Sequence, residues 1–569
     1  MIYIGVAWPY VNGDIHVGHL AGYLLPADIC SRFFRLCGEN VLMVSGSDCH
    51  GTPTTIYADK KNITPSDVVE EFHPERLKLI RMYDLKYSIY TKTTTKNHSE
   101  VVQKIFLDLL RNGYIEKGVC DQYYSSKEKK FLPDRYVEGE CPHCHAKEQR
   151  SDQCEKCGRM LLQGELINPV SKTSGTPVVI RKSEQYMLLL DKLQTQIKEY
   201  IGSVEGNFKK WVFKESIGWL NEGLRRRPIT RDLNWGIDIP CDRIDKQYLI
   251  KDCKKKKFYV WFEAVIGYLS GAIEWSGRES GDTSTLFHVG KEQSKDYKKW
   301  FFNDKARHYY FMGQDNLVFH TIMWPGILIG SQRGYKLPDF VSVNKFYNYE
   351  GKKFSKSRNW IIDSIDIAEK YGVDSVRYYL TRTFPENKQG NFHWDAFFTT
   401  VNSELSSKLS NFTYRCLSFV EKNCKSEVRK DLVGKDVKKN IDKTFRNTLD
   451  LLTNCKQTQA LNEVFKLVDF ANRYFDKAQV WSVYKTDKAG ANETLWNCLV
   501  ILWNLRILMN PFLPGFSQKL SRQLNNKFPD YEVGTNYWRY STPLCKGGIY
   551  NIAKKVVPIY MKIDRVNTD

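Results

Sequence analysis

The amino-acid sequence predicts an α/β fold, in which a parallel sheet covered by helices is split by an insert and followed by an all-helical region. Three observations support this prediction. Strand-like and helix-like segments alternate near the N-terminus, and the alternation resumes after about residue 241. The stretch between them carries paired cysteines and shows little periodicity. From about residue 396 onward, apolar residues recur at the spacing of helices.

The first alternating segment contains two short apolar runs, Tyr3–Ala7 and Asn40–Gly46, that are typical of buried parallel strands. Helices are predicted after them, to about Leu36, near Ser66–Arg81 and over Asn97–Arg111. Strand–helix alternation of this kind favours a parallel sheet, because parallel strands need crossover connections.

The later segments complete the predicted organisation. Alternation resumes with Lys257–Leu269 and Arg307–Gly313, and helical periodicity dominates stretches such as Thr458–Ala478. We therefore expect two halves of one sheet domain at 1–115 and 241–345, an insert at 116–240, a region around a basic loop at 346–395, and a helical domain at 396–569.

The composition limits the class of protein. A chain of 569 residues and 66.5 kDa is too long for one core, so several domains are expected. No apolar run approaches the roughly 20 residues of a membrane span, and the N-terminal MIYIGVAWPY lacks the basic flank of a signal peptide. The 15 cysteines are mostly scattered, which favours reduced thiols. We expect a soluble, cytoplasmic protein with no membrane partner.

The charge indicates a polyanionic partner. Lys and Arg number 85 against 65 Asp and Glu, a formal net charge of +20. Counterion release makes a polyphosphate backbone the natural partner of such a chain. A solvated basic surface is the alternative, and a phospholipid surface is less favoured because no basic amphipathic helix is evident. The charge therefore favours nucleic acid without indicating which kind.

Four cysteines are not scattered. Two CxxC pairs stand nine residues apart, in the order Cys141, Cys144, Cys154 and Cys157. Four thiolates at this spacing predict one structural, tetrahedral Zn²⁺ site. His143 or His145 could replace one ligand, but an all-cysteine site is simpler. A redox CxxC is less favoured, because two pairs occur without a thioredoxin-like context.

The stretch AWPYVNGDIHVGHLAGYLL places two histidines, His16 and His19, after the first predicted strand. We expect Asp14 to cap the following helix, with both histidines on one face of its first turn and Gly18 leaving room for a ligand. A helix N-terminus after the first strand of a parallel sheet is where open α/β folds bind phosphates. Metal ligation and burial in the core are the alternatives, and HxGH alone is a weak motif.

A second motif, GKKFSKSRN from Gly351 to Asn359, places Lys353 and Lys356 around Ser355. A flexible basic loop can neutralise charge that develops on a triphosphate. An exposed basic loop or a phosphorylation site is the alternative.

Together the two motifs, HVGH and KFSKS, resemble the paired HIGH and KMSKS signatures of class I aminoacyl-tRNA synthetases. Further stretches, in order from about Ile2 to about residue 510, resemble the methionine-specific branch of that family. They are SDCHGTP, YVWFEAVIGY, FMGQDNLVFHTIMWPG and NRYFDKAQVW, besides AWPYVNGDIHVGH. The resemblance implies a Rossmann-type catalytic domain that joins methionine to ATP as methionyl-adenylate. The methionyl group then passes to the terminal ribose of tRNA(Met).

The resemblance also implies site residues. ATP would contact His16, Gly18, His19, Asp315, Lys353, Ser355 and Lys356, of which His16, His19, Lys353 and Lys356 would be catalytic. Methionine would contact Ala7, Trp8, Tyr10, Asp48, Trp261, Ala264, Tyr268 and His320. Aromatic walls suit a polarizable thioether, and Asp48 can pair with the α-ammonium group. ATP brings Mg²⁺, for which the sequence offers no dedicated protein site.

In the helical region, the resemblance implies an anticodon site at Asn411, Arg415 and Trp481. An exposed tryptophan beside polar residues can stack on an unpaired base, although Trp481 taken alone fits a core position better. The resemblance places the zinc knuckle in the connective insert. No dimerisation module is evident after about residue 510, so we expect a monomer.

Three other functions fit the sequence less well. A catalytically silent RNA-binding relative would carry degraded signature motifs, whereas both are intact here. A small-substrate adenylyltransferase would lack the cysteine insert and the helical domain. Another class I synthetase is disfavoured by the pocket of Trp261, Tyr268 and His320, and by an insert of about 125 residues, which is short for an editing domain.

Overall fold

The computed structural model describes residues 1–133, 136–151, 154, 156–157, 159, 161, 164–277, 286–287, 296–355 and 360–565. For 286–287 the description covers the backbone alone.

The strands within these residues are β1 (Ile2–Val6), β2 (Val41–Ser47), β3 (Ile89–Lys92), β4 (Ile115–Ser125), β5 (Lys130–Phe131), β6 (Val137–Glu140), β7 (Gln149–Arg150), β8 (Ile167–Ser171), β9 (Val179–Leu188), β10 (Arg227–Pro228), β11 (Thr230–Arg231), β12 (Lys257–Phe258), β13 (Leu286–Phe287), β14 (Arg307–Gly313), β15 (Phe340–Asn344), β16 (Tyr347–Tyr349), β17 (Lys352–Lys353), β18 (Gly390–Phe392), β19 (Glu427–Arg429) and β20 (Ile549–Asn551).

The α-helices are α1 (Val17–His19), α2 (Leu25–Leu36), α3 (Thr52–Lys61), α4 (Pro65–Met82), α5 (Lys96–Arg111), α6 (Leu190–Ser203), α7 (Lys210–Glu222), α8 (Val260–Gly277), α9 (Lys298–Phe301), α10 (Trp324–Gly330), α11 (Ser364–Tyr371), α12 (Val373–Arg382), α13 (Trp394–Thr400), α14 (Asn411–Asn423), α15 (Lys435–Thr453), α16 (Gln457–Ala478), α17 (Val480–Thr486), α18 (Lys488–Leu508) and α19 (Pro514–Gln523). Wider π-helical turns span Leu20–Leu24, Phe319–Met323 and Val401–Ser410.

The central sheet has the order β13–β3–β2–β1–β14–β15. Its four pairings from β3 to β15 are parallel, for example Ile4 opposite both Met43 and Tyr309, and only the edge strand β13 is antiparallel. Every residue of β1, β2 and β15 is buried, as expected for parallel strands with helices on both faces. The predicted α/β fold is confirmed.

The chain between β3 and β14 leaves this sheet and returns to it. A long antiparallel ladder pairs β4 with β9, from Ile115 opposite Leu188 to Tyr124 opposite Val179, and a small sheet of β6, β7 and β8 carries the cysteines. Helix α8 then leads back to the central sheet, with thirteen of its residues buried, which include Phe262 and Tyr268. The carboxyl ends of β1, β2 and β14 thus meet beneath the inserted chain, where open α/β sheets bind ligands.

The C-terminal part is helical, as predicted. Helices α14, α15, α16 and α18 pack on one another, and α18 is buried on most sides from Leu495 to Leu508. The strand β20 near the C-terminus pairs with β19. Among the described residues, none of the helices combines the length and the hydropathy that crossing a membrane requires.

One expectation about the cysteines is corrected. Cys241 and Cys253 are joined by a disulfide, although their spacing forms no recognisable pattern in the sequence. The intervening chain turns back through short 3₁₀ turns and brings the two Cα atoms to 6.2 Å, within the range of such a bond. The other thirteen cysteines, all within the described residues, are not in disulfides.

Candidate active site

One cleft at the carboxyl edge of the central sheet, with a volume of about 410 Å³, collects most of the predicted site residues. The whole methionine set lines it: Ala7, Trp8, Tyr10, Asp48, Trp261, Ala264, Tyr268 and His320. From the ATP set, His16, Gly18, His19, Asp315 and Lys353 line it as well. Ser355 follows at the entrance to the KFSKS loop, whereas Lys356 lies outside the described residues.

The helix after β1 begins at Val17, and its N-cap is His16. The His16 Nδ1 atom accepts a hydrogen bond from the Gly18 N–H at 3.1 Å, and the His19 Nδ1 atom accepts one from the His16 N–H at 3.3 Å. The prediction that Asp14 caps this helix is therefore wrong. Since His16 has extended backbone angles, its own ring, rather than the exposed Asp14 carboxylate, faces the free N–H groups.

This cap determines where the imidazole protons lie. A ring nitrogen that accepts an N–H bond carries no proton, so the Nε2 atom of each histidine carries one. The two ring centroids are 4.0 Å apart, which places two N–H donors side by side at the cleft. A Cβ atom at Gly18 would lie 2.8 Å from the His16 ring and 3.1 Å from Phe354, so only glycine allows this packing.

The two signature motifs touch each other. The ring of Phe354 stacks on His16 with centroids 4.5 Å apart and planes 16° from parallel. Behind this contact, Ser355 and Trp360 exchange backbone hydrogen bonds of 3.0 and 2.9 Å across the base of the KFSKS loop. The side chain of Lys353 is exposed at the rim of the cleft, above the ring of Phe346. The described start of the KFSKS motif, from Lys353 to Ser355, thus lies beside the histidine pair.

Aromatic rings form one wall of the cleft. The ring of Trp261 stacks on Phe319 with centroids 4.2 Å apart and planes 7° from parallel. The ring of Tyr10 meets Trp261 edge-on at 6.0 Å. Such a wall has the polarizable, apolar surface that a thioether chain packs against.

A polar chain lies at the buried end of the pocket. The Tyr268 hydroxyl is 2.6 Å from the His320 Nε2 atom, and the His320 Nδ1 atom is 2.8 Å from the Asn316 carbonyl oxygen. Burial lowers the pKa of His320 to about 4, so the ring is neutral near pH 7. A carbonyl only accepts, so the Nδ1 atom carries the proton and the Tyr268 hydroxyl donates to Nε2. This end of the pocket is therefore polar but uncharged.

Asp48 lies at the carboxyl end of β2, where only 3% of its surface is exposed. Its N–H donates to the Pro9 carbonyl at 2.9 Å, and its own carbonyl accepts from the Val11 N–H at 3.2 Å. These bonds join the loops that follow β1 and β2, and they hold the Asp48 carboxylate beside the aromatic wall.

Behind the pocket lies a buried charge network that sequence reasoning missed. The Glu263 carboxylate is 3.0 Å from the His50 Nδ1 atom and 2.6 Å from the His98 Nε2 atom. Burial alone would raise the pKa of Glu263, but the two histidines outweigh it and lower that pKa to about 2. The Trp8 indole stacks on His98 at 6.1 Å and crosses directly over Gly46 and Gly267. Trp8 therefore packs on this network as well as lining the cleft.

Sequence reasoning also missed Phe319 and Phe354. Both stand inside stretches that carried the family resemblance, but neither has a charged or titratable group that would single it out. Their roles depend on stacking with Trp261 and His16, which are distant in sequence. Periodicity alone cannot reveal such contacts.

The four cysteines of the insert converge. Their Sγ atoms all lie within 4.8 Å of one another, with Cys144 and Cys154 at 3.5 Å and Cys141 and Cys157 at 3.9 Å. Tetrahedral thiolates around Zn²⁺, at about 2.3 Å from the metal, stand about 3.8 Å apart, so the donor set fits. His145 faces Glu140 instead. The all-cysteine arrangement is the one the structure forms.

The predicted anticodon residues lie on α14 and α17. The Arg415 guanidinium is 2.7 Å from Asp476 and lies 5.7 Å from the centre of the Trp481 ring. Trp481 is 45% exposed, which excludes the core alternative, and Asn411 is exposed one turn before Arg415. The three side chains thus form an accessible polar and aromatic patch.

Comparison with known proteins extends this description. A family model described as "tRNA synthetases class I (M)" matches residues 2–417. The methionine--tRNA ligase of Roseiflexus sp. (strain RS-1) is 40% identical over 534 residues, which cover 92% of this chain and 86% of that relative. The methionine--tRNA ligase of Bacillus mycoides (strain KBAB4) is 37% identical over 533 residues, which cover 93% of each.

A solved structure agrees in fold. The methionyl-tRNA synthetase of Mycobacterium tuberculosis, in complex with methionyl-adenylate, matches with a TM-score of 0.75 at 21% identity and covers 98% of this chain and 99% of that one. The family match and the two relatives are the stronger evidence, since they extend through the cleft and both signature motifs. On these grounds the chain belongs to the methionine-specific class I aminoacyl-tRNA synthetases.

Proposed function

We propose that this chain is an enzyme that activates methionine with ATP and transfers the methionyl group to the terminal ribose of tRNA(Met). One observation carries the proposal: a single cleft brings the aromatic wall and Asp48 next to the histidine pair. Adenylation requires the methionine site and the ATP site to be adjacent, because the methionine carboxylate must reach the α-phosphate of ATP.

Neither step needs a protein nucleophile, since the substrate's own carboxylate and ribose hydroxyl attack. Catalysis then rests on positioning and on stabilising charge. The Nε2–H groups of His16 and His19 would donate to phosphate oxygens, and Lys353 and Lys356 would neutralise charge as pyrophosphate leaves. Gly18 and Ser355 would contact ATP through backbone and hydroxyl groups, and Asp315 would hold its ribose. Mg²⁺ would arrive with ATP.

Methionine selection follows from the chemistry of the pocket. Trp261 and Tyr10 would pack along the side chain, with Ala7 and Ala264 leaving space for it. The neutral pair of Tyr268 and His320 offers the sulfur a polar neighbour without a charge. Asp48 would pair with the α-ammonium group, which fixes the orientation of the carboxylate.

The rest of the chain would serve the tRNA. Cys141, Cys144, Cys154 and Cys157 would hold one Zn²⁺ that stabilises the insert without taking part in the reaction. Asn411, Arg415 and Trp481 would read the anticodon, with a base stacked on Trp481. The segments 1–115, 116–240, 241–345, 346–395 and 396–569 would act as the two catalytic halves, the insert, the loop region and the anticodon domain. The proposal includes a monomeric enzyme in the cytoplasm, where translation consumes its product.

The experiment is amino-acid-dependent exchange of pyrophosphate into ATP by the purified protein. Methionine is expected to support exchange, and leucine, isoleucine and cysteine are not. Exchange with leucine or cysteine but not with methionine would refute the substrate assignment. A protein that binds tRNA but supports no exchange with any amino acid would favour the catalytically silent relative.

A further inference from the structure

A basic cleft on the helical region contains none of the residues assigned above. It has a volume of about 540 Å³ and lies between α15 and residues 538–540. Its cationic lining comprises Lys435, Lys438, Lys439, Arg446 and Arg539, against the single acid Asp442. The lysines and Arg446 recur at helical spacing, so one face of α15 presents them together.

These cations lack acidic partners. In the part of the chain that the structure describes, none of the five forms an ion pair with a carboxylate, and all five are exposed. Other neighbouring lysines do have acidic partners, as where Lys256 meets Asp232 and Lys257 meets Asp238. Five uncompensated cations around one concave surface attract an anion with several charges.

The same cleft offers aromatic surface. Trp538 is 5% exposed and packs edge-on against Phe33 and Phe445, so it forms a rigid aromatic floor beneath the cations. Tyr540 is partly exposed, with the ammonium group of Lys438 5.7 Å from the centre of its ring. Its ring is available for stacking.

The cleft is also remote from the proposed ATP site. Trp538 rests on Phe33, near the end of α2, and the helical path from His16 to Phe33 is about 25 Å long. The cleft therefore lies toward the amino edge of the sheet, whereas ATP would bind at the carboxyl edge. In the bundle, α15 packs on α16 and α18, whereas Asn411 and Arg415 belong to α14.

We propose that this cleft binds a single-stranded RNA segment other than the tRNA being aminoacylated. The phosphates would lie on the cations of α15 and on Arg539, and a base would stack on Tyr540. Single-stranded RNA fits better than an acidic peptide, because every base has a ring face that can stack on the partly exposed Tyr540. An acidic side chain offers the charge alone.

The test measures fluorescence anisotropy of a labelled oligouridylate of about 12 nucleotides, a length suited to a groove of this kind. The variant Lys438→Glu/Lys439→Glu should weaken binding at least about tenfold and flatten the salt dependence of affinity. A matched control, Lys104→Glu/Lys198→Glu, makes the same change in net charge at exposed positions of α5 and α6. The control should bind within about twofold of the unaltered protein, because its lysines lie outside the cleft.

Stacking is tested separately. Tyr540→Ala should weaken oligouridylate binding by about fivefold or more, and Tyr540→Phe should retain it, since both aromatic rings stack. Methionine-dependent exchange and the KM for tRNA should be unchanged in all four variants.

Three results would overturn the proposal. Equal weakening by the cleft variant and its control would show diffuse electrostatic binding. A parallel rise in the KM for tRNA would assign the cleft to the aminoacylated tRNA itself. Tighter binding of a polyglutamate peptide than of oligouridylate would indicate a protein partner.

Discussion

The substitution Asp48→Asn tests how the cleft holds methionine. It keeps the size of the side chain and removes its charge, and the backbone bonds to Pro9 and Val11 do not depend on the carboxylate. With 3% of Asp48 exposed, the pair with the α-ammonium group would form almost without solvent screening.

The magnitude follows from that burial. A hydrogen bond to a charged group contributes about 1.5–3 kcal/mol, which corresponds to an affinity loss of about 10- to 150-fold. We expect the KM for methionine to rise by that factor, with the KM for ATP within about twofold, because ATP contacts the histidine side of the cleft.

The assay is pyrophosphate exchange with each substrate varied in turn. Asp14→Asn is the matched control, since Asp14 lies in the same N-terminal segment but is exposed and does not cap the helix. A methionine KM within twofold of the unaltered enzyme, or an equal rise in the KM for ATP, would refute the assigned role of Asp48.

Further predictions address other parts of the molecule. Trp481→Ala should leave exchange intact while weakening tRNA charging at least about tenfold by loss of base stacking, measured as the KM for tRNA; equal loss of both steps would show a structural role. Elemental analysis should find one zinc per chain, and Cys154→Ser should lower that content and destabilise the insert; two equivalents would reveal a second site. The free energy of unfolding, measured by urea titration, should fall as pH drops from 6.5 toward 4. Burial disfavours the protonated ring of His320 in the folded state, so the unfolded chain binds a proton more readily over this range. The ionised Glu263 should add a further loss between pH 4.5 and 2, which Glu263→Gln removes; a flat profile would contradict both assignments.

The sequence predicted the elements that depend on local patterning. In each case the signal lies within a few neighbouring residues. This holds for the apolar runs of β1 and β2, the helical spacing of α16 and the paired cysteines. The residues that line the methionine pocket came from a resemblance rather than from physics, since aromatic residues such as Trp261 are equally common in cores.

The features that could not be predicted from the sequence depend on contacts between distant segments, or on which of two neighbouring side chains caps a helix. His16 displaced Asp14 as the helix cap because backbone direction, which the sequence does not specify, decides which side chain faces the free N–H groups. The pairing of Cys241 with Cys253 depends on the path of the intervening turn. The network of Glu263, His50 and His98 joins three segments, and none of them signals it alone.

The central claim is that the cleft and the helical patch serve one reaction, the ligation of methionine to its tRNA. The most direct measurement is charging of an unfractionated tRNA pool with labelled methionine by the purified protein, followed by sequencing of the charged species. Charging is expected to be confined to tRNAs with the CAU anticodon and to depend on ATP. Absence of methionyl-tRNA, or charging of tRNAs with other anticodons, would contradict it.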